Sequence, residues 1–218
     1  MMVGMGFVME ALSFEPKSMQ QMLMIGLGGG VINNFLSTLG PEAMINLTTV
    51  ELDPEVFSLA LDWFHLVETP TNRVVIGDGI EFIREASRKG DKYKVILVDA
   101  CFDEIRPVCC PVEGFIDPET IENIGNILDE DGILSINVLT SGKGKGAFSC
   151  IHAQDATKPQ PPNLHIIQIE LPGAADYNDL RTLFCHKYEY LRARGIRIIR
   201  VNAIDNRITF PGNYSERR

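Results

Sequence analysis

Residues 22–30 read MLMIGLGGG, four apolar residues running straight into Gly26, Gly28, Gly29 and Gly30. The apolar run is too short for a helix and predicts a buried strand over 22–27. A helix follows over 29–39 and stops at Gly40-Pro41. Glycines at such a strand-to-helix turn let something approach the backbone closely. Taken alone, the cluster fits a nicotinamide or flavin dinucleotide, a nucleotide phosphate, S-adenosylmethionine (SAM), or nothing more than helix–strand packing.

Outward from this turn the chain alternates. Residues 2–13 predict an amphipathic helix that ends before Pro16, and INLTTVEL (45–52) a second strand. Asp53-Pro54 supplies an N-cap and a first-turn proline for a helix to about Leu66. A short strand over 73–77 and the amphipathic GIEFIREASRKG (79–90), stopped by Gly90, come next. YKVILVDA (93–100) is apolar enough to be a strand buried on both faces. A loop rich in Cys and Pro spans 101–116, a second Asp-Pro helix 117–132, and ILSINVLT (133–140) a fifth strand. Glycine- and proline-rich residues 141–163 lead to LHIIQIEL (164–171) and LRTLFCHK (180–187), a hairpin of sixth and seventh strands, then a helix over 188–194 and a terminal extension.

Strand–helix alternation repeated five times implies an α/β, Rossmann-like fold. The expected sheet has seven strands, is mostly parallel with an antiparallel last strand, and carries helices on both faces. Residues 1–218 read as a single domain without internal repeats. The abrupt opening in a helix suggests that an N-terminal module is missing.

In such sheets ligands bind beyond the carboxyl ends of the strands. The first strand ends in G-L-G-G-G, the second in Glu51 followed by Leu52 and Asp53, the third in Gly77-Asp78-Gly79, and the fourth in Asp99 with Asp103 four residues on. Glu51 lies about 20 residues past the loop, where a carboxylate accepts both ribose hydroxyls. Asp78 is placed to accept from an adenine amino group. Together these describe an adenosine site. A dinucleotide loop needs its third glycine three residues after the second. Here Gly30 is two after Gly28, and G-x-G-x-G suits SAM, which has no pyrophosphate to cradle. No P-loop G-K-[ST] is present, which disfavours ATP hydrolysis. Asp53 reads as a helix cap rather than a ligand group.

Composition narrows the classes further. The 218 residues are 45% hydrophobic and carry a net charge of −9, so no nucleic-acid partner is expected. No run approaches the ~18 apolar residues of a membrane span, so no membrane partner is expected. No secretory signal is apparent, and five cysteines (101, 109, 110, 150, 185) in odd number read as reduced thiols of a cytoplasmic protein. The four histidines show no metal or catalytic spacing, so no metal is expected.

MLMIGLGGG, TVELDPEV, VVIGDGIEFI and VILVDA resemble the spermidine-synthase-like branch of class I SAM-dependent methyltransferases, over about residues 2–140. Within that branch, CCPVEGFIDPETIENIGNILDEDGILSINV and YNDLRTLFCHK are similar to the elongation factor 1-alpha lysine and N-terminal methyltransferases. The resemblance implies SAM as cofactor. Gly26, Gly28 and Gly30 would line its methionine and ribose, and Glu51 would hold the ribose hydroxyls. Leu52 would pack on adenine, while Asp78 and Gly79 would meet the adenine edge. Asp99 would lie beside the transferring group, and Asp103 would be a second carboxylate for the amine. The implied partner is a protein with a basic amine, elongation factor 1-alpha being the example in the family.

The branch also holds aminopropyltransferases, which make polyamines. CFDEIRPVCCPVEG stands in place of their usual D-S-[ST]-D-P run, and their β-stranded lid domain is not in this chain. The expected activity is therefore SAM-dependent methylation of a protein lysine or N-terminus. The alternatives are aminopropyl transfer and a non-catalytic binding protein of the same fold. A paired edge strand and an apolar first helix are compatible with a homodimer.

Overall fold

The computed structural model describes residues 2–104, 108–137, 139–140, 165–170, 197–202 and 208–209. In chain order the strands are β1 (Gln20–Ile25), β2 (Ile45–Glu51), β3 (Asn72–Ile76), β4 (Tyr93–Val98), β5 (Val108–Cys110), β6 (Leu128–Asn137), β7 (Leu139–Thr140), β8 (His165–Glu170), β9 (Arg197–Asn202) and β10 (Ile208–Thr209). The helices are α1 (Met2–Val8), α2 (Val31–Ser37), α3 (Pro54–Phe64), α4 (Gly79–Lys89) and α5 (Pro118–Ile127). Eight strands form one sheet in the order β10-β9-β8-β6-β4-β1-β2-β3. All neighbours in it are parallel except β10, which runs antiparallel to β9. The chain winds outward from β1 to β3, then returns to β4 on β1's other side. That reversal places a crevice at the carboxyl ends of β1 and β4.

The central strands are apolar throughout because both their faces are covered. Alternate residues Met22, Met24, Leu47, Val95, Leu97 and Ile133 pack with Val3 of α1, Leu12 in the turn after it and Leu36 of α2. Their neighbours Leu23, Ile25, Val50, Ile96, Val98 and Leu134 face the other way, against Ile83 of α4 and Ile121, Ile124 and Ile127 of α5.

Four helices are clearly shorter than the sequence pattern predicts, α2 spanning only Val31–Ser37 against the expected 29–39. α1 stops at Val8 because Glu10 adopts φ 62° and the Leu12 N–H turns back to donate to Gly6 O at 2.9 Å. α3 stops at Phe64, where His65 takes a left-handed conformation and returns its N–H to Ala60 O. α5 ends at Ile127, and Lys92 Nζ donates to the carbonyls of Asn126 and Leu128 at 2.8 and 3.1 Å, a side-chain closure of the helix end. β6 therefore begins at Leu128, earlier than expected.

β8 lies within the predicted sixth strand and runs parallel to both β6 and β9. The antiparallel end of the sheet is β10. The predicted strand over 180–187, the helix over 188–194 and the 141–163 segment lie outside the described residues. The predicted loop over 101–116 contains β5, which pairs antiparallel with β7, and a 3₁₀ turn Glu113–Ile116. The reading of all cysteines as reduced thiols is corrected here: Cys101 and Cys110 form a disulfide, their Cα atoms 4.3 Å apart. Nine residues of separation gave no hint of it, since the pairing is made by the fold bringing β5 beside the end of β4.

Candidate active site

The strand ends converge because the sheet is in register: Ile25 lies opposite Val50 and Val98, Glu51 opposite Ile76, and Val98 opposite Ile136. Each strand's last residue or the next one therefore reaches the same edge.

The three glycines of the first turn have different jobs. Gly26 has φ +90°, and a Cβ there would run into the backbone carbonyl of Asp99. Its N–H donates to Val50 O, and the Asp99 N–H donates to Ile25 O, both at 2.8 Å. Gly26 thus lets the ends of β1, β2 and β4 close on one another. Gly28 has φ +53°, and a Cβ on it would meet nothing within 4 Å. It is the bare, outward part of the turn. Gly30 caps α2 and packs on Leu66. Between them the Leu27 side chain anchors the turn in a small core with Ala60 and Leu66.

Glu51 is 8% exposed, and both its oxygens are engaged. Oε2 accepts the Leu27 N–H at 2.8 Å and Oε1 accepts the Asp53 N–H at 2.9 Å. The carboxylate clamps the glycine turn to the start of α3. Each oxygen keeps further acceptor capacity. Asp53 is the N-cap of α3, accepting from the Glu55 N–H at 2.8 Å, as its sequence context predicts. Leu52 is 71% exposed, an unusual setting for leucine beside a buried carboxylate, and Ile76 on the neighbouring strand is also exposed.

Asp78 is the N-cap of α4: Oδ1 accepts from the N–H groups of Ile80 and Glu81 at 2.7 and 3.4 Å. Oδ2 has no partner among the described residues. A Cβ on the preceding Gly77 would meet open space. Gly79 is buried, its Cα pressed so close that a Cβ would meet Ile25 Cγ2 at 2.6 Å and Phe115 Cζ at 3.1 Å. Its side toward the core serves packing.

Asp99 is half-buried, and its Oδ1 accepts from Asn137 Nδ2 at 2.7 Å. Asn137 ends β6 as Glu51 ends β2. The sequence signal for it existed: a polar residue closing an apolar strand, ILSIN, at the ligand edge. Asp103 is exposed, four residues past Asp99, and makes no hydrogen bond or ion pair among the described residues. A buried polar cluster was also not foreseen. Asn33 Nδ2 donates to Thr49 Oγ1 and Asn72 Oδ1, both at 2.9 Å, and ties α2 to β2 and β3 just beyond the glycine turn.

A parallel sheet reversing at β1 and β4, with a bare glycine turn and a carboxylate at or just past the ends of β2, β3 and β4, is a Rossmann-like α/β frame. The family is specified by sequence: the chain belongs to the spermine/spermidine synthase domain family, whose model matches residues 7–140. It is 33% identical over 135 residues to the polyamine aminopropyltransferase of Vibrio vulnificus, covering 62% of this chain and 42% of that protein. It is 29% identical over 126 residues to the eEF1A lysine and N-terminal methyltransferase of Xenopus laevis, covering 57% of this chain and 18% of that protein. The chain therefore spans less than half the length of either relative. The crystal structure of human methyltransferase-like protein 13 in complex with SAH superposes with a TM-score of 0.54 at 26% identity, over 61% of this chain and 60% of that one.

Proposed function

We propose that this chain is a SAM-dependent methyltransferase acting on a protein amine, a lysine or an N-terminus. The observation that carries the reading is the Asp99–Asn137 pair set against the bare Gly28 turn. An oriented carboxylate follows β4, whose end lies against Gly26, two residues before the part of the glycine loop that side chains leave open. The relatives named as eEF1A methyltransferases, and the related structure holding SAH, support the same assignment.

The residues fit the cofactor. Gly28 offers backbone without a Cβ, and Gly26 and Gly30 shape the turn around it. The remaining lone pairs of Glu51 suit the ribose hydroxyls. Exposed Leu52 suits the adenine face, and Asp78 Oδ2 suits the adenine amino group, with Gly79 holding that corner against β1. When bound, SAM supplies an activated methyl group. The protein's own task is then to place the amine in line with it and to exclude water. Asn137 fixes Asp99 through Oδ1. Asp99 Oδ2 faces the amine, orients it while it is cationic, and takes up its proton as it becomes nucleophilic. Asp103, exposed past the fourth strand, serves an incoming basic segment rather than the reacting amine. A cytoplasmic protein partner with a basic amine, elongation factor 1-alpha among them, is the substrate class.

Calorimetric titration tests the site. SAM and SAH should bind the wild type, and Asp78→Ala and Glu51→Ala should each abolish binding. One observation favours a second reading, aminopropyl transfer: the 33% identity to a polyamine aminopropyltransferase. Tighter binding of decarboxylated SAM than of SAM would select that reading over methylation.

A further inference from the structure

We propose that the Cys101–Cys110 disulfide is a reversible redox site that controls the geometry of Asp99. Cys101 stands two residues beyond Asp99, and its Sγ lies 3.9 Å from Asp99 Oδ1, the same oxygen that Asn137 holds. Cys110 is completely buried and ends β5. β5 pairs with β7, which begins two residues after Asn137. The disulfide thus ties the segment just past β4 covalently to β5, and the β5–β7 pairing carries that tie by hydrogen bonds to the segment just past Asn137. Two hydrogen bonds run alongside: Phe102 N–H to Cys109 O at 2.8 Å, and Val112 N–H to Ala100 O at 2.9 Å.

Access is one-sided. Cys101 is exposed, so an external thiolate reaches its Sγ, while Cys110 is shielded. A thiolate of a glutathione- or thioredoxin-type reductant attacks Cys101 Sγ, forming a mixed disulfide and expelling the Cys110 thiolate, which takes a proton. A second reductant thiol attacks the mixed disulfide at its own sulfur and leaves as the oxidised reductant, and Cys101 is released as a thiol. Two thiols supply the two electrons and two protons. The reaction changes what Asp99 meets. In the bridged state Cys101 has no hydrogen to give. In the reduced state its S–H is within weak-donor reach of Oδ1 and competes with Asn137. The covalent tie from β4 to β5 is lost in the same step. The cofactor elements Gly28, Glu51 and Asp78 lie on other strands and are left in place.

The inference rests on the amine-handling reading of Asp99 only for its consequence; the thiol chemistry stands apart from it. The test equilibrates the whole chain in graded glutathione buffers, alkylates it, and maps each cysteine by mass spectrometry. Hydrogen exchange at the amides of 99–102 and 133–137 and SAH affinity are followed in the same samples. Cys101 and Cys110 should become alkylated together in one two-electron transition. Exchange at 99–102 should rise at least about fivefold on reduction, the lower end of usual site-to-site coupling, while SAH affinity stays constant. Cys101→Ser, a change at an exposed position, should show the reduced exchange pattern under oxidising conditions. Independent titration of the two cysteines, pairing of either with Cys109, or identical exchange in both states would each overturn the proposal. Absence of SAH binding in both states would instead count against the cofactor assignment, leaving the thiol result to be judged alone.

Discussion

Replacing Glu51 by glutamine separates its two roles. The substitution keeps the volume and removes the charge and one acceptor oxygen. In the folded protein those two oxygens accept from Leu27 N–H at 2.8 Å and Asp53 N–H at 2.9 Å. Either orientation of the new amide leaves one backbone N–H facing an NH₂ group. A hydrogen bond to a charged group contributes ~1.5–3 kcal/mol, and a buried donor left unmatched costs a similar amount. The amide will turn its nitrogen toward Asp53, the wetter of the two sites, so the expected loss is about 2–3 kcal/mol. For a chain of this size that lowers Tm by about 4–12 °C. Urea denaturation followed by circular dichroism gives the free energy, and calorimetry on the same sample gives SAH affinity. We expect both to fall. A variant as stable as wild type would refute the clamp between the glycine turn and α3, whatever happened to binding.

Gly26→Ala should destabilise by about 3 kcal/mol or more, because left-handed strain adds to overlap with the Asp99 carbonyl, whereas Gly28→Ala should cost only the strain, about 1–2 kcal/mol, yet lose SAH; thermal melts and titrations of the two variants distinguish them. Asn137→Ala frees Asp99 and should lower methyl transfer about 10- to 100-fold with SAH affinity unchanged, measured by single-turnover kinetics. Leu97→Ala, at a fully buried position in the sheet, should cost ~2–5 kcal/mol in urea denaturation and leave the Cys101–Cys110 redox transition where it was.

Much of this site is legible in the chain because its parts are local. Apolar runs such as MLMI and VILV declare strands buried on both faces, and the glycines and acids that end them fall on one edge once the strands are parallel. Asp53 and Asp78 are recognisable caps for the same reason. What pairs across distance is not legible. Asn137 meets Asp99 only through the β4–β6 register, and Cys101 meets Cys110 only because β5 returns beside β4. The glycines show a subtler limit. Their spacing marks a ligand turn, but that Gly26 spares the Asp99 backbone while Gly28 faces open space is decided by neighbours far along the chain. Helix ends fall short of the sequence pattern where a contact closes them early, a tertiary one from Lys92 to the carbonyls at the end of α5 and a local backbone turn from Leu12 to Gly6 in α1.

The most direct test of the central claim is transfer of label from methyl-tritiated SAM to basic peptides carrying either a lysine or a free N-terminal amine, comparing wild type with Asp99→Asn. The account predicts label on one of these amines with the wild type and its loss in Asp99→Asn, with SAH binding retained. No methyl transfer, together with aminopropyl transfer from decarboxylated SAM to putrescine, would contradict it.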